Sequence, residues 1–248
     1  MSLASLTKYL RDNPVTVPSS TQDTTVIIVS DSKGSYVRKH INKDQEPERS
    51  IIWEACPGRS SEQAAIFIFR NIESWKKKYG KLLLLVWTGT CDLTCKIGDP
   101  SDSSRRKKFI DLSSTSLDHI INQYEKVLSL NDECVKVLIL EVPYYSISIW
   151  NFSKGCLFSD FYRDHDSILK EKIDSLNDKI KVLNKAYGSS QVPRFSADLI
   201  ACRKANKKSI KTVSYSLLLA DGIHPGDDLC KHFIRRLVNT VICRLCFH

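Results

Sequence analysis

Apolar residues follow two distinct rhythms along this chain. TTVIIVS, positions 24–30, is a run of β-branched residues without alternation, the pattern of a strand buried on both faces. SIIWEA (50–55), KLLLLVWTG (81–89) and CVKVLILEVP (134–143) read the same way, and VPRFSADLI (192–200) is predicted as a fifth strand. Between these runs the period changes to three and four. Residues 60–80 form a predicted helix, with Ser60 or Ser61 as its cap and Gly80 as its stop. Leu117, Ile120, Ile121, Tyr124, Val127 and Leu128 make one face of a helix over about 114–130. Leu169, Ile173, Leu176, Ile180 and Leu183 make another over 166–187, and Leu229, Phe233, Leu237, Val241 and Leu245 a last one from about Asp227. Residues 96–108 and the basic stretch 202–212 read as loops.

Buried strands alternating with amphipathic helices predict a three-layer α/β domain on a parallel sheet, occupying residues 24–248. Residues 1–23, with Pro14, Pro18, Ser19 and Ser20, are expected to be a flexible arm in which residues 3–10 offer a short helix. In such sheets ligands collect at the carboxyl ends of the strands, so the residues after each apolar run carry the candidate chemistry.

Composition narrows this picture modestly. The chain has 248 residues, 42% of them hydrophobic, enough for one domain with a full core. A formal charge of +9 leaves a nucleic acid or another polyanion open as a partner through a basic surface. The N-terminal residues hold no apolar run of signal-peptide length and no stretch reaches a membrane span, so a soluble, intracellular protein is expected. Nine cysteines, an odd number, then read as reduced thiols. Cys91 with Cys95, and Cys243, Cys246 and His248, are incomplete as zinc sets, and no metal or cofactor is expected.

The strand ends hold Ser30-Asp31-Ser32, then Pro57-Gly58-Arg59-Ser60, then Thr88-Gly89-Thr90-Cys91-Asp92, then Pro143-Tyr144-Tyr145. Before the last helix stands Asp221-Gly222-Ile223-His224-Pro225. Singly, each has an ordinary reading: an Asx turn, a helix cap, a turn glycine. Jointly they contain what serine acyl transfer needs: a hydroxyl, a base, a carboxylate and donors for an oxyanion. Strand one is followed by neither a Walker loop nor a Gly-x-Gly-x-x-Gly loop, which argues against a nucleotide-binding site of that kind.

In order and spacing these blocks resemble the SGNH, or GDSL-type, hydrolase superfamily, whose esterase domains include some associated with retrotransposons. Ser30-Asp31-Ser32 matches the Gly-Asp-Ser block, Gly58 the lone glycine, Gly89-Thr90-Cys91-Asp92 the Gly-x-Asn-Asp block and Asp221-Gly222-Ile223-His224 the Asp-x-x-His block. The resemblance implies a flavodoxin-like sheet of about five parallel strands and ester hydrolysis through an acyl-enzyme. It implies Ser32 as nucleophile, His224 as base and Asp221 as the carboxylate that orients it. Backbone N–H groups of Ser32 and Gly58 would serve the oxyanion hole, with Cys91 at its third position. Asp31, Lys33, Gly89, Thr90, Asp92 and Tyr144 are candidates to line a pocket for a small-molecule, carbohydrate or lipid ester.

Two positions depart from the family pattern. Ser30 replaces a glycine, and Cys91 replaces the asparagine whose amide donates to the oxyanion. A thiol is a weak donor, so a slow esterase is expected. The alternative is an SGNH-like binding module of little or no activity that contacts nucleic acid. Lys33, one residue past the expected nucleophile, is expected to be solvated at a helix start; Trp87 is expected in the core, and Tyr144, Tyr145 and Trp150 are candidates for a pocket wall.

Overall fold

A computed structural model describes residues 2–15, 18–40, 51–98, 108–156, 159–188, 192–205 and 208–247. The strands are β1 (Thr25–Ser30), β2 (Ile51–Ala55), β3 (Leu82–Trp87), β4 (Thr94–Ile97), β5 (Phe109–Leu112), β6 (Val135–Ile139), β7 (Ile200–Ala205) and β8 (Lys208–Val213). The helices are α1 (Leu3–Asp12), α2 (Ser32–Arg38), α3 (Ser61–Tyr79), α4 (Thr90–Leu93), α5 (Leu117–Leu128), α6 (Ile147–Ser153), α7 (Arg163–Ala186), α8 (Phe195–Asp198), α9 (Asp227–Leu237) and α10 (Cys243–Leu245). A π-helical turn, Val238–Ile242, joins the last two.

The central sheet is parallel, in the order β2-β1-β3-β6. Val26, Ile27, Ile28 and Val29 of β1 and Leu83, Leu84 and Leu85 of β3 are fully buried, which is why those segments show no polar alternation. Right-handed crossovers place α2 on one face of the sheet and α3 and α5 on the other. In keeping with this, α2 packs against α9, and α3 packs against α5. The start of α3 is a capping box: Ser60 Oγ accepts from Gln63 N–H and the Gln63 side chain accepts from Ser60 N–H. Gly80 ends the helix at φ +72°.

Among the described residues, four strands form this sheet rather than about five. The stretch expected to supply the fifth folds as α8 and then begins β7, which pairs antiparallel with β8 in a separate hairpin. The physical reason lies in α7. Asn184 bonds both the N–H and the C=O of Ile139, at 3.0 and 2.8 Å, and Asn177 does the same for Val142 at 2.9 Å each. Two amide side chains, two helical turns apart on one face, satisfy backbone groups that a fifth strand would otherwise have paired. The stretch 202–212, expected as a loop, belongs largely to this β7–β8 hairpin.

The N-terminal residues also differ from a free arm. Ser2 caps α1, Leu6 of that helix is completely buried, and Thr7 donates to Asp228 Oδ2 at 2.9 Å. Tyr9 meets His232 edge to face, and the Arg235 guanidinium donates to Leu10 O, so α1 is docked along α9. A short bridge between Gln22 and Phe247 ties the segment to the C terminus. Among the described residues no helix is long and apolar enough to cross a membrane, and no cluster of three or more His, Cys, Asp or Glu side chains is placed to hold a metal. In the C-terminal cysteine set Cys246 is fully buried, while His248 lies outside the described residues.

Candidate active site

Strand β1 ends at Ser30, and the chain turns at Asp31 directly into α2, so Ser32 is the first residue of that helix. Asp31 is the N-cap: its Oδ1 accepts from Lys33 N–H at 2.9 Å. At the far end of the chain, Asp221 closes an Asx-type turn by accepting from Ile223 N–H at 2.9 Å and His224 N–H at 3.0 Å. This turn is anchored by Ser146 N–H donating to Gly222 O at 2.9 Å. Gly222 has φ +71°, and a Cβ there would lie 2.6 Å from Ile149, so only glycine lets α6 approach this closely.

These two turns meet. His224 Nε2 is 2.9 Å from Ser32 Oγ, and His224 Nδ1 is 2.6 Å from Asp221 Oδ2. Burial raises the Asp221 pKa, but the hydrogen bonds from the His224 ring and from two backbone N–H groups outweigh it and hold the carboxyl at about 2. An ionised carboxylate only accepts, so the proton of a neutral imidazole sits on Nδ1. The Nε2 lone pair is thereby left for the Ser32 hydroxyl. The arrangement can draw a proton from Ser32 as its oxygen attacks an electrophile, and return it to a leaving group.

Aromatic side chains hold the imidazole in place. Tyr36 stacks on His224 with centroids 4.2 Å apart at 21°, and Trp150 stands at 6.3 Å. Trp150, of the expected pocket wall, is thus beside the site. Tyr36 was not among the residues singled out from the sequence, yet Ser32 and Tyr36 are four apart on α2 and so share a face.

The turn after β3 supplies the next layer. Gly89 has φ +112°, and a Cβ there would lie 2.7 Å from Val142 and 3.1 Å from the Tyr124 hydroxyl. Asp92 is buried, and both of its oxygens accept from Ser61, the N–H at 3.1 and 2.9 Å and the hydroxyl at 2.7 Å. It therefore locks this turn to the start of α3. Desolvation raises the Asp92 pKa and the Ser61 bonds lower it, with a net rise. Cys91 is half-buried, and its thiol is pushed up to about 12, first by burial and then by the Asp31 carboxylate. It stays protonated at neutral pH, where a thiol is a weak donor. Gly58, at φ +82°, sits in the turn after β2 at the same end of the sheet.

Several candidate pocket residues are placed beneath the site rather than on its surface. Lys33 is the clearest correction: it is not solvated but 1% exposed, its ammonium 2.5 Å from Asp31 Oδ2 and bonded to Thr90 Oγ1. Asp31 is completely buried and Thr90 nearly so. Tyr144 is buried and donates its hydroxyl to Asp174, and Tyr145 is buried with its hydroxyl donating to Thr90 O at 2.9 Å. Trp87 is in the core, as expected, with its indole N–H donating to Glu141 O at 3.0 Å and its ring against Phe195 and Phe233. Ser30 ends an extended strand; its hydroxyl occupies space beside Gly34, where a Cβ would come within 1.8 Å of Ser30 Oγ.

No protein-family model matches the sequence, and no curated protein matches it. Solved structures do match by shape. A lipase/acylhydrolase from Enterococcus faecalis superposes with a TM-score of 0.53 at 14% identity, covering 86% of this chain and 94% of the other. The acetyl xylan esterase AlAXEase gives 0.52 at 15% identity, covering 85% and 96%. A lipolytic protein of the G-D-S-L family from Veillonella parvula DSM 2008 gives 0.51 at 13% identity, covering 90% and all of that chain. With its four parallel strands between helical layers, the chain has the SGNH hydrolase fold.

Proposed function

We propose that this protein is a serine hydrolase acting on ester bonds, with Ser32 as nucleophile, His224 as general base and Asp221 as the orienting carboxylate. The observation that carries the reading is the continuous chain from Asp221 through His224 to Ser32, at 2.6 and 2.9 Å. Ser32 Oγ attacks the ester carbonyl while its proton passes to His224 Nε2. The tetrahedral intermediate then collapses, the alkoxide leaves with that proton, and the acyl group remains on Ser32. Water, deprotonated by the same imidazole, releases the acid and restores the hydroxyl. The oxyanion would be held by the backbone N–H groups of Ser32 and Gly58, with the Cys91 thiol in place of a stronger amide donor. Loss of one such donor costs about 10² to 10³ in turnover, so slow hydrolysis is the expected behaviour. Several structures of similar fold are esterases or lipases by their own descriptions. A small activated ester such as p-nitrophenyl acetate is the first substrate to try. Turnover above that of a folded Ser32→Ala variant is expected, and equal rates would overturn the proposal.

Charge favours a second reading alongside the first. Between positions 200 and 213 the sequence holds Arg203, Lys204, Lys207, Lys208 and Lys211 and no Asp or Glu, in a chain of net charge +9. A basic hairpin of this composition suits the phosphate backbone of a single-stranded nucleic acid. Gel shifts with single-stranded RNA over a salt series test it. Affinity that falls steeply with salt supports contact with the backbone, and no shift at low salt removes the reading.

A further inference from the structure

Lys33 directly follows the proposed nucleophile and is enclosed by protein. Its ammonium donates to Asp31 Oδ2 at 2.5 Å and to Thr90 Oγ1, and it lies 5.9 Å from the centroid of the Trp87 ring. Asp31 and Lys33 belong to the turn that presents Ser32, while Thr90 belongs to the turn that presents Cys91. Thr90 is held in turn from its other side, where its carbonyl accepts from Tyr145 at 2.9 Å and from Thr94 Oγ1 at 3.0 Å.

A buried ion pair gains little stability over apolar side chains of the same volume, because two charges must first leave water. What it adds here is geometry: one ammonium that donates to acceptors on two separate turns. Asp31 is the larger electrostatic influence on Cys91, and Lys33 partly cancels it. We infer that Lys33 is a positioning residue, a buried tether that fixes the Thr90–Cys91 turn against the Ser32 turn and so sets the width of the oxyanion hole. The kinetic part of this inference rests on the esterase reading above.

Two variants test the tether. Thr90→Val removes the acceptor and leaves the Lys33–Asp31 pair intact. The double variant Asp31→Asn, Lys33→Met removes both charges together, so no carboxylate is stranded, and asparagine still caps α2. Misplacement of a catalytic group by about 1 Å costs on the order of 10²-fold. A tether therefore predicts kcat lowered about tenfold to a hundredfold in both variants, with KM within about twofold. It also predicts faster amide exchange at Cys91, Asp92 and Leu93 in both. Unchanged kcat and unchanged exchange in folded variants would overturn the inference. If the wild-type chain hydrolyses no ester, the esterase reading fails separately. The exchange rates of these three amides then decide the tether: accelerated exchange supports it and unaltered exchange rejects it.

Discussion

His224 Nε2 lies 2.9 Å from Ser32 Oγ although 192 positions separate the two residues in the chain. Ser32 is the first residue of a helix that begins where a buried strand stops, and His224 ends an Asx-type turn just ahead of α9, which packs on that helix. The contact is thus an outcome of the parallel fold, whose strand ends and terminal helix converge at one place.

The carboxylate of Asp221 should matter through its effect on the tautomer of His224. Asp221→Asn keeps the size of the side chain but presents an amide N–H or C=O to Nδ1 in place of a charged acceptor. A fall in kcat of about 10³ to 10⁴ is expected, with KM little changed, by steady-state kinetics on an activated ester.

The same residue leaves a mark on stability against pH. Its pKa is 3.8 as a free group and about 2 in the fold. Because the folded value is the lower one, ionised Asp221 stabilises the native state in full above pH 3.8, and that contribution vanishes as pH falls through about 2. With allowance for solvent screening it amounts to about 1 kcal/mol. Urea melts at a series of acidic pH values should show wild type losing this increment relative to Asp221→Asn across that window.

Cys91→Asn should raise kcat by about 10- to 10²-fold, since an amide N–H would replace a weak thiol donor. Cys91→Ala should change the rate little. Burial holds the thiol near 12, so iodoacetamide should label Cys91 slowly at pH 8 compared with the exposed Cys134. Rapid labelling would show a thiolate that the fold does not support.

Ser30 and Gly34 should prove coupled. Gly34→Ala puts a methyl into the Ser30 hydroxyl and should cost about 1 to 3 kcal/mol. Ser30→Gly with Gly34→Ala removes the hydroxyl and frees that space. Thermal melts of the two single variants and the double one should show a stability loss in the double well below the sum of the singles.

Leu6→Ala should destabilise the whole domain by about 2 to 4 kcal/mol, because Leu6 is completely buried between α1 and the body of the protein. A free arm at residues 1–23 would instead show no change in the melting curve.

Much of this fold was legible because burial on both faces leaves a conspicuous signal. The four apolar runs are the four strands of the sheet, and the helical stripes appear within a few residues of their expected bounds. The fifth strand was misread because its role falls to Asn177 and Asn184. In a helical pattern those two look like ordinary polar positions, and only the geometry reveals them bonding Val142 and Ile139. Lys33 was misread for a related reason: lysine is almost always solvated, and nothing local marks the rare buried one. Its partner Thr90 is far off in sequence, so the pair exists only in three dimensions. Ser32, Asp221 and His224, which the fold brings within hydrogen-bonding distance, stand out in the sequence through short motifs in a fixed order. Tyr36 carried a weaker signal, the four-residue spacing from Ser32.

The most direct measurement is the mass of the protein after reaction with a fluorophosphonate, followed by peptide mapping. An active triad phosphonylates at Ser32 alone, one adduct per chain, and the adduct is lost in Ser32→Ala and in His224→Ala. An unmodified, folded wild-type protein, or an adduct that survives in Ser32→Ala, would contradict the assignment of Ser32 as the nucleophile.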